Sequence, residues 1–328
     1  MAELTLTHRP SPQAEQHMIS EHIGWTFLVL TIFAGATYTT FAKSLTQAFS
    51  PLSLIFVSEL LTLFFLLLSF GFIPTLKEVL RIRRNMLLPL FIVGLFSGTL
   101  GPLLFFTGLF YTSAINGSLF GNSETVFTIL LAVLILSERW TPSRSIAAVA
   151  IFTGVITIAL QGFTVGITLQ WGDSLILLGC LCFSIGSITF RRFLHNSNPE
   201  IAMISRSVIA IAFFFLLSPF EPQTFLSEVR AFPLSLLTAL IGFGFISKFL
   251  NVFSYYQALE RLPVSTVSLV ASTGVVVSVA FAHWLLSEPI FLYHVVGGIL
   301  IVGGTVILEA MGLRHTRMHL KQRHHHRA

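Results

Sequence analysis

Charge is scarce in this sequence. Only 10% of its 328 residues are Asp, Glu, Lys or Arg, against 54% hydrophobic residues. A soluble domain carries about 25% charged residues, and these supply most of its wetted surface. A soluble enzyme, a nucleic-acid-binding domain and a disordered chain are therefore excluded as classes. Cysteine is nearly absent as well. Cys180 and Cys182 stand two apart on one helix and point to different sides, so they cannot bridge each other. Also missing are a phosphate-binding Gly-rich loop with Lys-Ser/Thr, a His-Glu-x-x-His pair and a clustered Asp pair. ATP-driven transport and most intramembrane enzymes lose support, and no cofactor or metal site is expected. His324, His325 and His326 close a basic tail, which reads as a solvated segment.

What the chain has in quantity is apolar sequence, with a mean hydropathy of +0.84. A membrane-crossing helix needs about 20 mostly apolar residues. The pattern predicts an all-α integral membrane protein of ten helices, near 23–43, 52–73, 86–109, 114–136, 143–162, 173–192, 199–219, 233–257, 264–286 and 290–311. Residues 1–22 read as a cytoplasmic disordered tail and 312–328 as a basic cytoplasmic tail. The first helix has a long polar flank and no small-residue cleavage site, unlike a signal peptide.

Basic residues in short loops mark the cytoplasmic side. With the N-terminus inside, Lys77, Arg81, Arg83, Arg84, Arg139, Arg144, Arg191, Arg192, Arg261 and the C-terminal cluster all fall inside. The opposite side holds only Lys43 and Arg230, and Arg206 and Lys248 lie within spans. Both termini are thus expected in the cytoplasm, with the chain in a bacterial cytoplasmic (inner) membrane. The formal charge of +5 is a topology signal with anionic-lipid contact, and needs no nucleic acid.

The two halves can be laid on each other. Gly24 matches Gly172, Lys43 matches Arg191, Ser50-Pro51 matches Asn198-Pro199 and Gly94 matches Gly242, at an offset of 148. After a two-residue shift, Ser137-Glu138 matches Ser287-Glu288 and Gly154 matches Gly304, at an offset of 150. Each unit, 23–162 and 163–311, holds five helices. Five is odd, so the second copy enters the membrane from the opposite side. This is the inverted repeat of many secondary transporters.

The repeated pattern is a small-residue-rich helix, then Ser-Glu, a short turn and a glycine-bearing helix. It reads Ala114 to Ser137-Glu138-Arg139 then Gly154, and Val264 to Ser287-Glu288-Pro289 then Gly303-Gly304. It resembles the drug/metabolite transporter superfamily, in its EamA-like ten-helix branch, over residues 23–311. The resemblance implies export or exchange of small organic metabolites by alternating access. Members of that branch often carry a proline midway along helices four and nine. Here Thr125 and Val275 stand there, which puts a proline hinge in doubt and leaves Gly121 and Gly274 as substitutes.

Charges inside a bilayer cost roughly 2.5–3.5 kcal/mol each on insertion scales and persist beside a cavity or a partner. Glu124 shares one helical face with Gly117, Gly121 and Thr128, which suits a substrate-amine or proton site, or a paired structural carboxylate. Lys248 shares a face with Gly244, Asn251 and Tyr255, a set able to hold a polar or anionic substrate. The competing reading is a Lys248–Glu124 salt bridge. Glu59 and Arg206 are nearly symmetry-related and form either an inter-repeat ion pair or gate, or snorkelling charges. Tyr38 with Thr31 and Gly35, Ser184 with Ser187, and Ser265, Ser268 and Ser272 make mildly polar faces, as cavity lining or as helix–helix contacts. Glu138 and Glu288 precede helix starts and read as structural.

The leading function is a secondary transporter exporting small organic metabolites, with amino acids or their derivatives suggested by the opposite charges. Its partners are then the small-molecule substrate and membrane lipids, with a homodimer left open. The alternatives are an organic-anion or nucleotide-conjugate exchanger, and a non-transporting membrane enzyme or sensor.

Overall fold

The computed structural model describes residues 12–73, 77, 82–137, 141–160, 171–194, 199–221, 224–262, 267, 270, 271 and 273–307. Among them every regular element is helical. Seven helices are long and apolar enough to cross a membrane: Ser20–Leu45, Pro51–Phe70, Arg84–Tyr111, Ala114–Leu136, Trp171–Phe193, Ile201–Phe220 and Leu234–Tyr255. Three shorter apolar helices, Arg144–Ala159, Gly274–Leu286 and Leu292–Ile307, lie at the remaining expected places.

Several of these rods are composite. The first is α1 (Pro12–Ala36) and α2 (Tyr38–Leu45), broken at Thr37. Its helix reaches back to Pro12, into the segment read as a tail. Then come α3 (Pro51–Phe70), α4 (Arg84–Val93) and α5 (Gly101–Tyr111). The fourth rod is α6 (Ala114–Gly121) and α7 (Glu124–Leu136), followed by α8 (Pro142–Ala159). The second half holds α9 (Trp171–Phe193), α10 (Pro199–Leu217), a short α11 (Phe225–Ala231), α12 (Leu237–Gly242) and α13 (Asn251–Arg261). It ends with α14 (Gly274–Leu286) and α15 (Leu292–Ile307).

Local chemistry sets many of these boundaries. Ser50 and Thr141 accept the N–H of the residue three on, and Pro51 and Pro142 open the helices that follow. The breaks in the fourth and ninth rods need no proline. Ser123 N–H bonds the Phe120 carbonyl and Val126 N–H bonds that of Ser123, a tighter turn than the α-helix. Thr273, 150 residues on, makes the same turn between Val270 and Val276. Further matches are the left-handed residues Ser137 and Ser287, at φ 54° and 56°, and two π-helical stretches, Gly94–Leu100 and Phe243–Leu250.

Small residues let the halves touch backbone to backbone. A Cβ at Gly108 would stand 2.6 Å from the Gly172 carbonyl oxygen, and one at Gly98 would stand 2.8 Å from that of Arg206. Polarity is inverted relative to a soluble protein. Leu134, Trp284 and Leu292 are 73–78% exposed, whereas Glu59 and Lys248 are 1% and 4% exposed. A surface so apolar suits hydrocarbon and not water.

One end of the bundle is tied across the halves. Glu288 accepts the Ala114 and Ile115 N–H groups at 2.7 and 2.9 Å, filling the free donors at the start of α6. It therefore caps a helix of the other half. Thr112 donates to Asp173 at 2.7 Å. His294 Nδ1 accepts the Phe291 N–H, so Nε2 carries the proton and donates to Asn116 Oδ1 at 3.1 Å. Within the first half, Lys43 Nζ donates to the Leu109 carbonyl at 2.6 Å.

Candidate functional site

A cavity of about 900 Å³ lies between the halves. Its inner limit is a hydroxyl trio joining α2, α6 and α14: Thr39 and Ser118 at 2.6 Å, Ser118 and Ser278 at 2.7 Å, Thr39 and Ser278 at 3.0 Å. From there the lining runs past Glu124 and Arg206 to Phe190, Ala202 and Tyr255. These last residues lie within two turns of their helix ends. The hydroxyl trio stands roughly 10 Å from the opposite end, at 1.5 Å per residue, and the Glu288 hydrogen bonds join the helices at that end.

Glu124 opens α7 directly after the Ser123 turn, which aims its carboxylate into the cavity. Two serines of α9 meet it. Ser187 donates to Glu124 Oε1 at 3.3 Å, and Ser184 donates to the Glu124 carbonyl at 2.9 Å. The polar faces expected on helices four and six thus meet each other. Among the described residues no cation stands within ion-pair distance of Glu124. Glycine keeps the space open: a Cβ at Gly121 would meet only Phe105, at 3.8 Å, and one at Gly274 only Ile32, at 3.8 Å.

Lys248 is placed otherwise than expected. It pairs not with Glu124 but with Glu59, at 2.6 Å, and it does not line the cavity. The reason is local. The wide turns of Phe243–Leu250 press against α3, where a Cβ at Gly244 would lie 2.7 Å from Leu61 Cβ. One turn further on, Lys248 meets Ser58 at 2.9 Å as well as Glu59. Ser207 donates to the other Glu59 oxygen at 2.7 Å. Arg206 Nη2 stands 3.7 Å from Glu59 Oε1, so the inter-repeat ion pair exists, though at long range. Ser58-Glu59 and Arg206-Ser207 stand at equivalent positions, 148 apart, so the charges collect where the two halves meet.

Asn251, Tyr255 and Tyr38 all line the cavity. Tyr38 is wedged among Phe105, Phe106 and Phe243, with ring centroids 5.2–6.2 Å away. Ser272, Ser265 and Ser268 lie outside the described residues. Among the described lining residues Arg206 is the cation, and Ser97 and Asn122 join it. Asn122 was passed over in the sequence, because it follows the end of α6 and falls off the helical face that carries Gly117, Gly121 and Glu124. Ser97 sits in the π-helical stretch, where 3.6-residue spacing fails as a guide.

The sequence pattern of the EamA-like transporter family matches residues 22–160 and again residues 170–309. The chain belongs to the EamA-like transporter family. The chain is 27% identical over 291 residues to YyaM of Bacillus subtilis, named an uncharacterized transporter, covering 87% of this chain and 92% of that one. It is 28% identical over 234 residues to an uncharacterized transporter of Methanothermobacter thermautotrophicus, covering 70% of this chain and 66% of the other. A solved crystal structure shares the fold at a TM-score of 0.60 and 18% identity, covering 90% of this chain and 98% of that one. The protein is thus a multi-pass membrane transporter of the EamA-like family, as the paired Ser-Glu pattern implied.

The cavity of this EamA-like protein is asymmetric although its scaffold repeats. Glu124 corresponds to Gly274 and Phe105 to Tyr255, at the offset of 150, and Tyr38 to Gly186 at 148. In each pair both positions line the cavity. The repeat therefore supplies the walls, and substitution within it supplies a polar, one-of-a-kind interior.

Proposed function

We propose that this protein is a secondary transporter exporting small zwitterionic metabolites, amino acids or their derivatives, across a bacterial cytoplasmic membrane. The observation carrying this reading is the charge of the cavity wall. Among the described lining residues, Glu124 and Arg206 are the charged ones, one of each sign. An ammonium on Glu124 and a carboxylate on Arg206 would each replace lost hydration with a charge-assisted hydrogen bond. Phe105, Phe183 and Tyr38 offer apolar surface to the rest of the molecule. An organic-anion or nucleotide-conjugate exchanger would call for more than one lining cation.

The chain crosses the membrane ten times in this reading, as two inverted five-helix units over 23–162 and 163–311, with both termini cytoplasmic. The lining extends toward the end that carries Arg191, Arg192 and Arg261. By the basic-residue rule, that end faces the cytoplasm, which favours loading from inside. Rocking of the halves would break the Glu288 network and expose the same groups to the other side. Glu124 serves as the substrate-amine site and is also placed to carry a proton for antiport.

Metabolite profiling of medium from overexpressing cells, followed by flux of the enriched compounds in proteoliposomes, tests the reading. Enrichment of amino acids or derivatives that are then carried by the purified protein is expected. Selective enrichment and flux of phosphorylated or multiply anionic compounds would overturn it.

A further inference from the structure

Lys248 and Glu59 are fully enclosed charges that do not touch the cavity, so a role other than ligand contact must account for them. Carrying a buried pair across a bilayer is costly even when it is well bonded. The geometry around Glu59 is saturated and directional. Lys248 holds Oε1 at 2.6 Å and Ser207 holds Oε2 at 2.7 Å, leaving Arg206 only the 3.7 Å approach to Oε1. Lys248 is itself seated by Ser58 and by the Phe243 ring, whose centroid lies 5.7 Å from Nζ. Arg206 Nε is buried and has no hydrogen-bond partner among the described residues, and the Arg206 side chain lines the cavity.

We propose that Glu59 and Lys248 are positioning residues for Arg206: Lys248 occupies the Glu59 carboxylate so that the guanidinium is anchored beside it yet stays available to a carboxylate in the cavity. A guanidinium presents five donors in a rigid fork, and a close bidentate carboxylate takes two of them. Without Lys248, Glu59 would draw Arg206 into such a pair and spend the donors that face the cavity. Lys248 would thus govern affinity for acids from a place no substrate reaches. This rests on the zwitterion reading of the cavity, which it deepens.

The test compares an amino acid with the amine that lacks its carboxylate, using the KM for each in proteoliposomes. Lys248→Met is expected to raise KM for the amino acid at least tenfold and leave KM for the amine within about twofold. Lys248→Arg should keep both values near wild type. Glu59→Gln/Lys248→Met should bring the amino-acid KM part of the way back from the Lys248→Met value, because no carboxylate remains to capture Arg206, although its anchor is also lost. A purely structural role would move both substrates together. Equal losses for the two substrates, or an unchanged amino-acid KM in a monodisperse Lys248→Met protein, would overturn the proposal. Arg206→Gln separates the two ideas. If it too leaves acid and amine unaffected, the zwitterion reading falls and the proposal with it. If it abolishes acid preference while Lys248→Met does not, the positioning role alone falls.

Discussion

At the scale of single residues, the informative feature is which charges are spent on the protein and which are left for a ligand. Glu59 and Lys248 consume each other, while Glu124 has one long hydrogen bond from Ser187. Glu124→Gln keeps the shape and removes the charge. A charge-assisted hydrogen bond is worth about 1.5–3 kcal/mol, so transport of an ammonium substrate should fall roughly 10- to 100-fold. Initial rates in proteoliposomes check this, and unchanged rates would remove Glu124 from the site. Much of this was legible beforehand, since a lone Glu flanked by Gly117 and Gly121 is readable from helical spacing. The partner of Lys248 was not. Sequence spacing assumes 3.6 residues per turn, and the π-helical Phe243–Leu250 stretch departs from it beneath Gly244. Asp173, the chain's one aspartate, was also passed over. It stands at a span boundary, where a charge looks like solvated flank, yet it is 2% exposed and holds Thr112 and Asn116.

At the scale of elements, contacts between halves dominate. Glu288 was read as a residue serving the start of its own helix, and its carboxylate instead caps α6 in the other half. Removing a capping side chain costs about 0.5–2 kcal/mol. Glu288→Ala should therefore lower the thermal unfolding midpoint in detergent, whereas an unchanged midpoint would mean that water satisfies α6 equally well. Gly108 makes a sharper case. A side chain there would meet the Gly172 carbonyl and the Ile176 amide nitrogen, groups of the backbone that cannot rotate away. Gly108→Leu should part α5 from α9 and abolish recovery of monodisperse protein, with size-exclusion profiles as the check. The glycine matches between halves were visible as a repeat. Their partners were not, because a repeat reveals equivalence and not contact. The tight turns at Ser123 and Thr273 fall beside Gly121 and Gly274, the residues expected to stand in for a proline, but the hydroxyl residues themselves give no sign, since they fit an unbroken helix as readily as a tight turn.

At the scale of the whole molecule, scarcity of charge carries the membrane class, and the offset of 148–150 residues carries the duplication pattern, both in the sequence itself. Orientation rests on the placement of Lys and Arg and makes its own prediction. In a background with Cys180 and Cys182 replaced by Ser, Arg230→Cys should react with a membrane-impermeant maleimide in intact cells. Lys77→Cys should react only after lysis. The reverse pattern would invert the protein in the membrane and turn the cavity toward the outside. Opposite charges in the sequence pointed to Glu124 with Lys248, whereas the cavity wall carries Glu124 with Arg206 and Lys248 is not among its described lining residues.

The central claim is that Glu124 and Arg206 read the two ends of a zwitterion. It is tested most directly by counterflow in proteoliposomes with an amino acid, its decarboxylated amine and its deaminated acid, for wild type, Glu124→Gln and Arg206→Gln. Wild type should prefer the amino acid over both analogues, Glu124→Gln should lose the preference over the deaminated acid, and Arg206→Gln should lose the preference over the amine. Wild-type selectivity retained in both variants would contradict the account.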